Sequence, residues 1–197
     1  MNTDSVKDVT TFALEGLALR TGDLICTTDG EGPGEKGQFW WLLGRLIPGD
    51  VDHIVIYVGP GGRCVEAAAK GSVVAFELSG PTWDAPAMFD QRGVRDLLYG
   101  IGDPVAGRGL DSEDPIRLAA ANYCLDQARQ AKPYNLNFLD SGTDKAFYCS
   151  QLAYKAYLPL GIDLNSGVGV PSIPGTGSII FPQEVWNACR VKRRAKP

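Results

Sequence analysis

Two short apolar runs joined by a turn constrain this chain more than any other feature. HIVIYV (53–58) and RCVEAA (63–68) flank Gly59-Pro60-Gly61-Gly62. β-Branched and aromatic residues in short runs favour extended backbone, and a glycine–proline tetrapeptide reverses the chain, so a β-hairpin is predicted. SVVAFEL (72–78) continues the meander as a third strand. Further strands are expected at LICTT (24–28), opened by Gly22-Asp23, and around VRDLLYG (94–100). Between them, 79–93 is a Pro- and Trp-containing stretch with no element assigned. PIRLAAANYCLDQARQA (115–131) has proline in its first turn and apolar residues at helical spacing, which predicts a helix. Other helices are expected over 12–20, 38–47 (QFWWLLGRLI), 148–158 and 182–192. Helices interleaved with a mostly antiparallel meander define an α+β class.

A chain of 197 residues with no internal repeat and no evident linker fits one domain, residues 1–197, able to bury a real core. The glycine-rich segments 29–37 and 161–178 read as loops, the second long enough to cover a site. A net charge of −4 with 44% hydrophobic residues argues against a general nucleic-acid binder. Positive charge is concentrated at the end, in Arg190, Lys192, Arg193, Arg194 and Lys196. It reads as a solvated, partly frayed tail, with contact to an anionic surface as the alternative.

The five cysteines form no regular framework and contain no CxxC pair, and a single histidine cannot support a His-rich zinc site. A reduced compartment, no disulfide framework and no metal or other cofactor are therefore expected. The first twenty residues lack a basic segment followed by an apolar core, and no apolar run approaches the roughly 20 residues that span a bilayer. The expectation is cytoplasmic synthesis without a signal peptide and without a transmembrane segment. Any action outside the cell would require a leaderless route.

Cysteine is a strong nucleophile as thiolate, and a helix N-terminus or a cationic neighbour favours that form. DSGTDK (140–145) is a turn-rich run with capping residues, and the apolar periodicity that follows places Cys149 in the first turn of a helix. His53, the only histidine, is the one imidazole that can serve as its base. Cys26 lies in an apolar strand, Cys124 sits in mid-helix, and Cys189 is at the wrong end of a helix dipole. A symmetric turn at 59–62 pairs residues whose numbers sum to 121, so Cys64 faces Tyr57. Four residues along a strand is about 13 Å, too far from His53 for direct proton transfer.

The same register sets Glu66 diagonally across from His53 on one face of the hairpin, within reach of a long side chain. A carboxylate there can fix the imidazole tautomer and stabilise its charged form. Glu77, on the next strand, is the reserve. A one-residue bulge in the turn would flip the parity and weaken the case for Glu66.

With GDLI (22–25), DHIVIYVG (52–59), CVEAA (64–68) and FYCSQLAYKAY (147–157) in that order, the chain resembles the circularly permuted branch of the NlpC-type papain-like superfamily, and more narrowly the YiiX-like proteins. The resemblance spans residues 22 to about 165. It implies a permuted papain-like fold in which a small antiparallel sheet packs against the helix carrying the nucleophilic cysteine. It implies Cys149 as nucleophile, His53 as base and Glu66 as the orienting residue. Gln151 stands where the family often has glutamate. The implied activity is a cysteine peptidase or amidase acting through a thioester acyl-enzyme on a peptide or cell-wall fragment. An exported antibacterial toxin with a cognate inhibitor protein is one setting for it, and a cytoplasmic recycling enzyme is another.

Tyr148, beside the nucleophile, and Trp40 and Trp41 are candidate substrate contacts. Phe39, Trp40, Trp41, Leu42 and Leu43 could instead line an acyl pocket, and the alternative function is a thioesterase, phospholipase or acyltransferase on the same triad. A catalytically silent binding module is the third reading, which intact Cys149, His53 and Glu66 count against.

Overall fold

The computed structural model describes residues 4–31, 48–68, 70–168, 170 and 175–196. The expected helix at 38–47, with Trp40 and Trp41, lies outside them, as does most of the glycine-rich segment at 29–37.

The strands are β1 (Thr11–Leu14), β2 (Leu17–Arg20), β3 (Leu24–Glu31), β4 (His53–Gly59), β5 (Arg63–Ala67), β6 (Val73–Glu77), β7 (Arg95–Asp103) and β8 (Val191–Arg194). Four helices accompany them among the described residues: α1 (Ala85–Arg92), α2 (Asp114–Arg129), α3 (Cys149–Tyr157) and α4 (Pro182–Ala188). β1 and β2 form a hairpin of their own, while a six-stranded antiparallel sheet runs β6-β5-β4-β3-β7-β8. The class is α+β, as expected.

Alternation along β4 and β5 divides the interior into two layers, because successive strand residues point to opposite faces. Ile54, Ile56, Val58, Val65 and Ala67 pack beneath α2 and α3 with Ala120, Cys124, Leu152 and Ala156. Val55, Tyr57, Cys64 and Phe76 face the other way, under Leu14 and Leu19 of the β1–β2 hairpin and Met88 of α1. No helix among the described residues is long and apolar enough to cross a membrane.

The hairpin keeps its expected register by an unexpected route. Ile56 faces Val65 and Tyr57 faces Cys64, both summing to 121. Pro60–Gly62 is a 3₁₀ turn rather than a symmetric tetrapeptide. Gly59 therefore faces Arg63, and the shift between Tyr57 and Gly59 restores the parity. Turn and bulge cancel.

Three expectations need correction. Residues 12–20 form the β1–β2 hairpin instead of a helix, because Glu15 (φ 51) and Gly16 (φ 74) are both left-handed, as in a two-residue hairpin turn. The Glu15 N–H donates to the Pro81 carbonyl (2.7 Å) and its carboxylate accepts from the Trp83 N–H (2.9 Å), which anchors a conformation uncommon outside glycine. The final helix stops at Ala188, where Cys189 turns extended (φ −69, ψ 124), and β8 follows.

Residues 191–194 are accordingly an edge strand, not a frayed tail. Arg193 reaches Asp23 at 2.6 Å, and the Arg194 guanidinium lies 3.7 Å from the centre of the Tyr99 ring. Charged residues on an exposed edge also discourage pairing with another chain. The unassigned stretch contains α1, bracketed by the Asp84 side chain on the Ala87 N–H (3.0 Å) and by left-handed Gly93. Those caps were its sequence signal.

The Gly22-Asp23 pair is a structural joint. Gly22 has φ +88, and a Cβ there would meet the Tyr157 hydroxyl at 2.8 Å and the Arg117 backbone at 3.2 Å. Tyr157 donates to the Gly22 carbonyl. Arg117, fully buried on α2, donates to Asp23 (2.8 Å), Asp103 (2.6 Å) and Glu113 (3.0 Å). Removing this guanidinium would leave the buried Asp103 carboxylate without its arginine and Asp23 with only Arg193 and the Arg20 N–H. Arg117→Met is expected to lower stability by about 3–5 kcal/mol, read as a shift of the urea midpoint with little change of slope.

Candidate active site

α3 begins where its flanking backbone is held in extended form. The Phe147 N–H donates to the Pro133 carbonyl and the Asn135 N–H to the Phe147 carbonyl, both at 3.0 Å. Tyr148 is extended (φ −95, ψ 168). Gln151, completely buried, reaches back to the Tyr148 N–H (3.2 Å), the far half of a capping box. Its carbonyl also accepts from the Asn135 amide (3.0 Å), and its own amide donates to the carbonyls of Ser141 (3.1 Å) and Thr143 (3.2 Å). One side chain thus ties the 135–143 loop to the start of α3. A glutamate could make the same backward capping contact but not these donations, which accounts for the amide at this position.

Cys149 is the first residue of α3 and keeps 6% exposure. His53 is the first residue of β4, opposite Thr27 of β3, and lies beyond the last β4–β5 rung at Ile56 and Val65. Glu66 is fully buried just past that rung on β5. The imidazole Nε2 and the Glu66 carboxylate are 2.7 Å apart, and Cys149 is near enough to act on the charge of the ring. Glu66 meets Nε2, so a nucleophilic sulfur would have to use Nδ1. Cys149 belongs to the helical-layer core and Glu66 to the opposite face, so His53 joins the two at the end of the sheet.

The electrostatics favour a charged ring. Burial alone would push the His53 imidazolium toward losing its proton, but Cys149 and Glu66 outweigh it and hold the group well above its usual value of 6.5. Glu66 shows the reverse. Burial opposes its charge, yet Arg92 and His53 bring its carboxyl down to about 2. The Arg92 side chain, itself fully buried, donates through Nε to Oε1 (3.0 Å) and through Nη2 to Oε2 (2.9 Å) of Glu66. It also grips Asp96 at 2.8 Å and 2.9 Å. Neither Arg92 nor Asp96 was singled out in the sequence, where the only signal was a basic residue in the last turn before a helix-ending glycine.

The remaining candidates fall elsewhere. Glu77 is exposed and faces Arg63 on the β5–β6 ladder, so the reserve carboxylate does not meet the ring. Tyr148 is 2% exposed; its hydroxyl accepts the Ile180 N–H (3.0 Å), and its ring packs on Phe138. It shapes the start of α3 and offers little surface to a substrate. Trp40 and Trp41 are not among the described residues. Tyr134 is close enough for the charge of Cys149 to act on its phenol, although burial is the larger cause of that group's upward shift. Among the described residues, no group of three or more His, Cys, Asp or Glu side chains is placed to hold a metal ion.

Comparison with protein-family models, curated proteins and solved structures finds no match to this chain.

Cys26, Cys64, Cys124 and Cys189 are all at most 1% exposed. Burial pushes each of their thiols up, that of Cys189 to about 12. Iodoacetamide at pH 6–7 is therefore expected to label Cys149 selectively; peptide mapping that finds all five labelled alike would contradict an activated thiol. The ring of the only histidine can be followed by NMR without assignment, and it should titrate well above pH 6.5. The linked stabilisation is then fully present below about pH 6.5 and lost as pH rises through the raised value.

Proposed function

We propose that the protein is a cysteine hydrolase that cleaves an amide bond through a thioester acyl-enzyme. The observation that carries this reading is the chain from Cys149 through His53 to Glu66, with the 2.7 Å His53–Glu66 contact and the sulfur at the first residue of a helix. In this reading the Cys149 thiolate attacks the carbonyl carbon, and the oxyanion forms beside the first-turn N–H groups of α3, which lack helical partners. The His53 imidazolium gives its proton to the leaving amine as the C–N bond breaks. Neutral His53 then takes a proton from water, whose oxygen attacks the thioester, and the thiolate departs. Glu66 holds the ring and stabilises its charged form throughout.

The order of these residues, histidine strand before cysteine helix, supports a permuted papain-like architecture. By that likeness, the substrate class is a small peptide with unusual linkages, such as a bacterial cell-wall stem peptide, and an exported antibacterial role with a cognate inhibitor fits the same reading. A second reading, lipid chemistry on the same triad, is favoured by one observation. Leu136 and Leu139, 64% and 58% exposed, stand on the loop that Gln151 ties to the start of α3 and present apolar surface there.

Incubation with purified sacculi and, separately, with short- and long-chain acyl esters, followed by mass spectrometry, distinguishes the two. Release of muropeptide fragments supports the amidase reading, release of fatty acid supports the lipid reading, and no product with either substrate counts against both. On whichever substrate is cleaved, Cys149→Ala should abolish turnover and His53→Ala should be nearly as severe. Glu66→Gln should lose roughly ten- to a thousandfold, less than the loss of a serine-triad carboxylate because a thiol is more acidic than a hydroxyl. Full activity in Cys149→Ala would overturn the mechanism.

A further inference from the structure

Glu66 is fully buried on β5, and a carboxylate removed from bulk solvent in that way would ordinarily take up a proton. Among the described residues, few charged or titratable groups face it. His53 approaches from β4, with Cys149 of α3 beyond the ring, and Arg92 approaches from α1, with Asp96 of β7 behind it. Cys64 lies one step along β5 on the same face, and β6 offers only Val74 opposite. Both oxygens of Glu66 are engaged by Arg92, and Oε2 is shared with His53.

Arg92 is itself held on every side. Its guanidinium lies 5.1 Å from the Phe76 ring centre and 4.6 Å from that of Trp83. Asp96 takes two of its N–H groups and is fixed in turn by the Thr27 hydroxyl (2.7 Å) and the Trp83 indole N–H (3.1 Å). A side chain so fully bonded cannot swing away, and its planar fork matches the carboxylate it grips.

We propose that Arg92 is a positioning residue of the site, which keeps Glu66 in the charged form and in the orientation that His53 requires, with Asp96 aligning the guanidinium from behind. The functional chain is then five residues long: Cys149, His53, Glu66, Arg92, Asp96. Beyond the sulfur, charges alternate in sign along it, from the His53 imidazolium through Glu66 and Arg92 to Asp96. This inference rests on the triad reading above, because it concerns what supports Glu66.

The test uses the single histidine. The ring of His53 is followed by NMR from pH 4 to 10 in the native chain, in Glu66→Gln and in Arg92→Met, and the rate of iodoacetamide labelling of Cys149 is measured over the same range. Removing Arg92 leaves Glu66 buried without its cation, so its carboxyl should take a proton within roughly pH 5–7. Arg92→Met should therefore show an acid step in the ring signals that the native chain lacks. Labelling at the foot of that step should be at least about tenfold slower, as a one-unit fall in the ring's affinity for its proton implies. The double variant Arg92→Met/Glu66→Gln should lose the step, because the titrating carboxyl is gone.

Glu66→Gln that leaves the ring titration unmoved would refute the triad reading itself. A shift in Glu66→Gln alongside native behaviour in Arg92→Met would refute the role of Arg92 and leave the triad standing. Persistence of the acid step in the double variant would also refute that role. Should Arg92→Met not fold, Asp96→Asn, nearly isosteric, takes its place. Arg92 then draws more strongly on Glu66, and the ring should release its proton at lower pH; an unmoved titration there refutes the proposal.

Discussion

A charged carboxylate inside a β-sheet is the constraint on which the rest of this structure depends. Glu66 is fully buried, and an unanswered charge there would cost several kcal/mol. The chain answers it from two directions, with Arg92 from α1 and His53 from β4. Satisfying Glu66 therefore fixes where α1 lies against the sheet and how the imidazole is turned. The ring orientation that a nucleophilic sulfur would need is, in this protein, a consequence of burying an acid.

The same device is used again at the opposite end of β7. Asp96, second residue of that strand, is held by Arg92, and Asp103, its last residue, is held by Arg117 of α2. Both arginines are fully buried and both carry more than one carboxylate. Such pairs add little net stability over a well-packed apolar alternative, because desolvation nearly cancels attraction, yet breaking one is costly. Their effect is geometric. One helix on each face of the sheet is locked to one end of β7, and the first of the two locks also carries the candidate site.

Much of this was legible in the sequence. Alternation and turn residues located β3 to β7, and proline at a first turn with helical spacing located α2. The placement of Cys149 at a helix start, His53 on β4 and Glu66 across from it followed from periodicity and hairpin parity, although the cap is Tyr148 with Gln151 and not a residue of 140–145. The segment 12–20 misled because Leu14 and Leu17 satisfy a helical spacing as well as a strand pair. The left-handed turn at Glu15 and Gly16 decides between them, and a glutamate there gives little warning. Arg92 was not legible for a different reason. Arginine is almost never fully buried unless paired, and its partner Glu66 is 26 residues away in a segment separated from it by a strand and a loop. Local pattern carries no record of such a contact.

The hairpin register shows how electrostatics can enforce what a turn leaves loose. Had the 3₁₀ turn at Pro60–Gly62 come without its compensating bulge, every β5 side chain would have changed face. Glu66 would then point into the layer where Val65 and Ala67 now pack beneath α2 and α3, among aliphatic side chains and away from Arg92. Val65 and Ala67 would in turn point toward the guanidinium. A slip of one residue thus strands a carboxylate and an arginine at once, at a cost comparable with the whole stability of an ordinary domain. A turn that is one residue short is tolerated only together with the bulge, because the pair of charges permits a single parity.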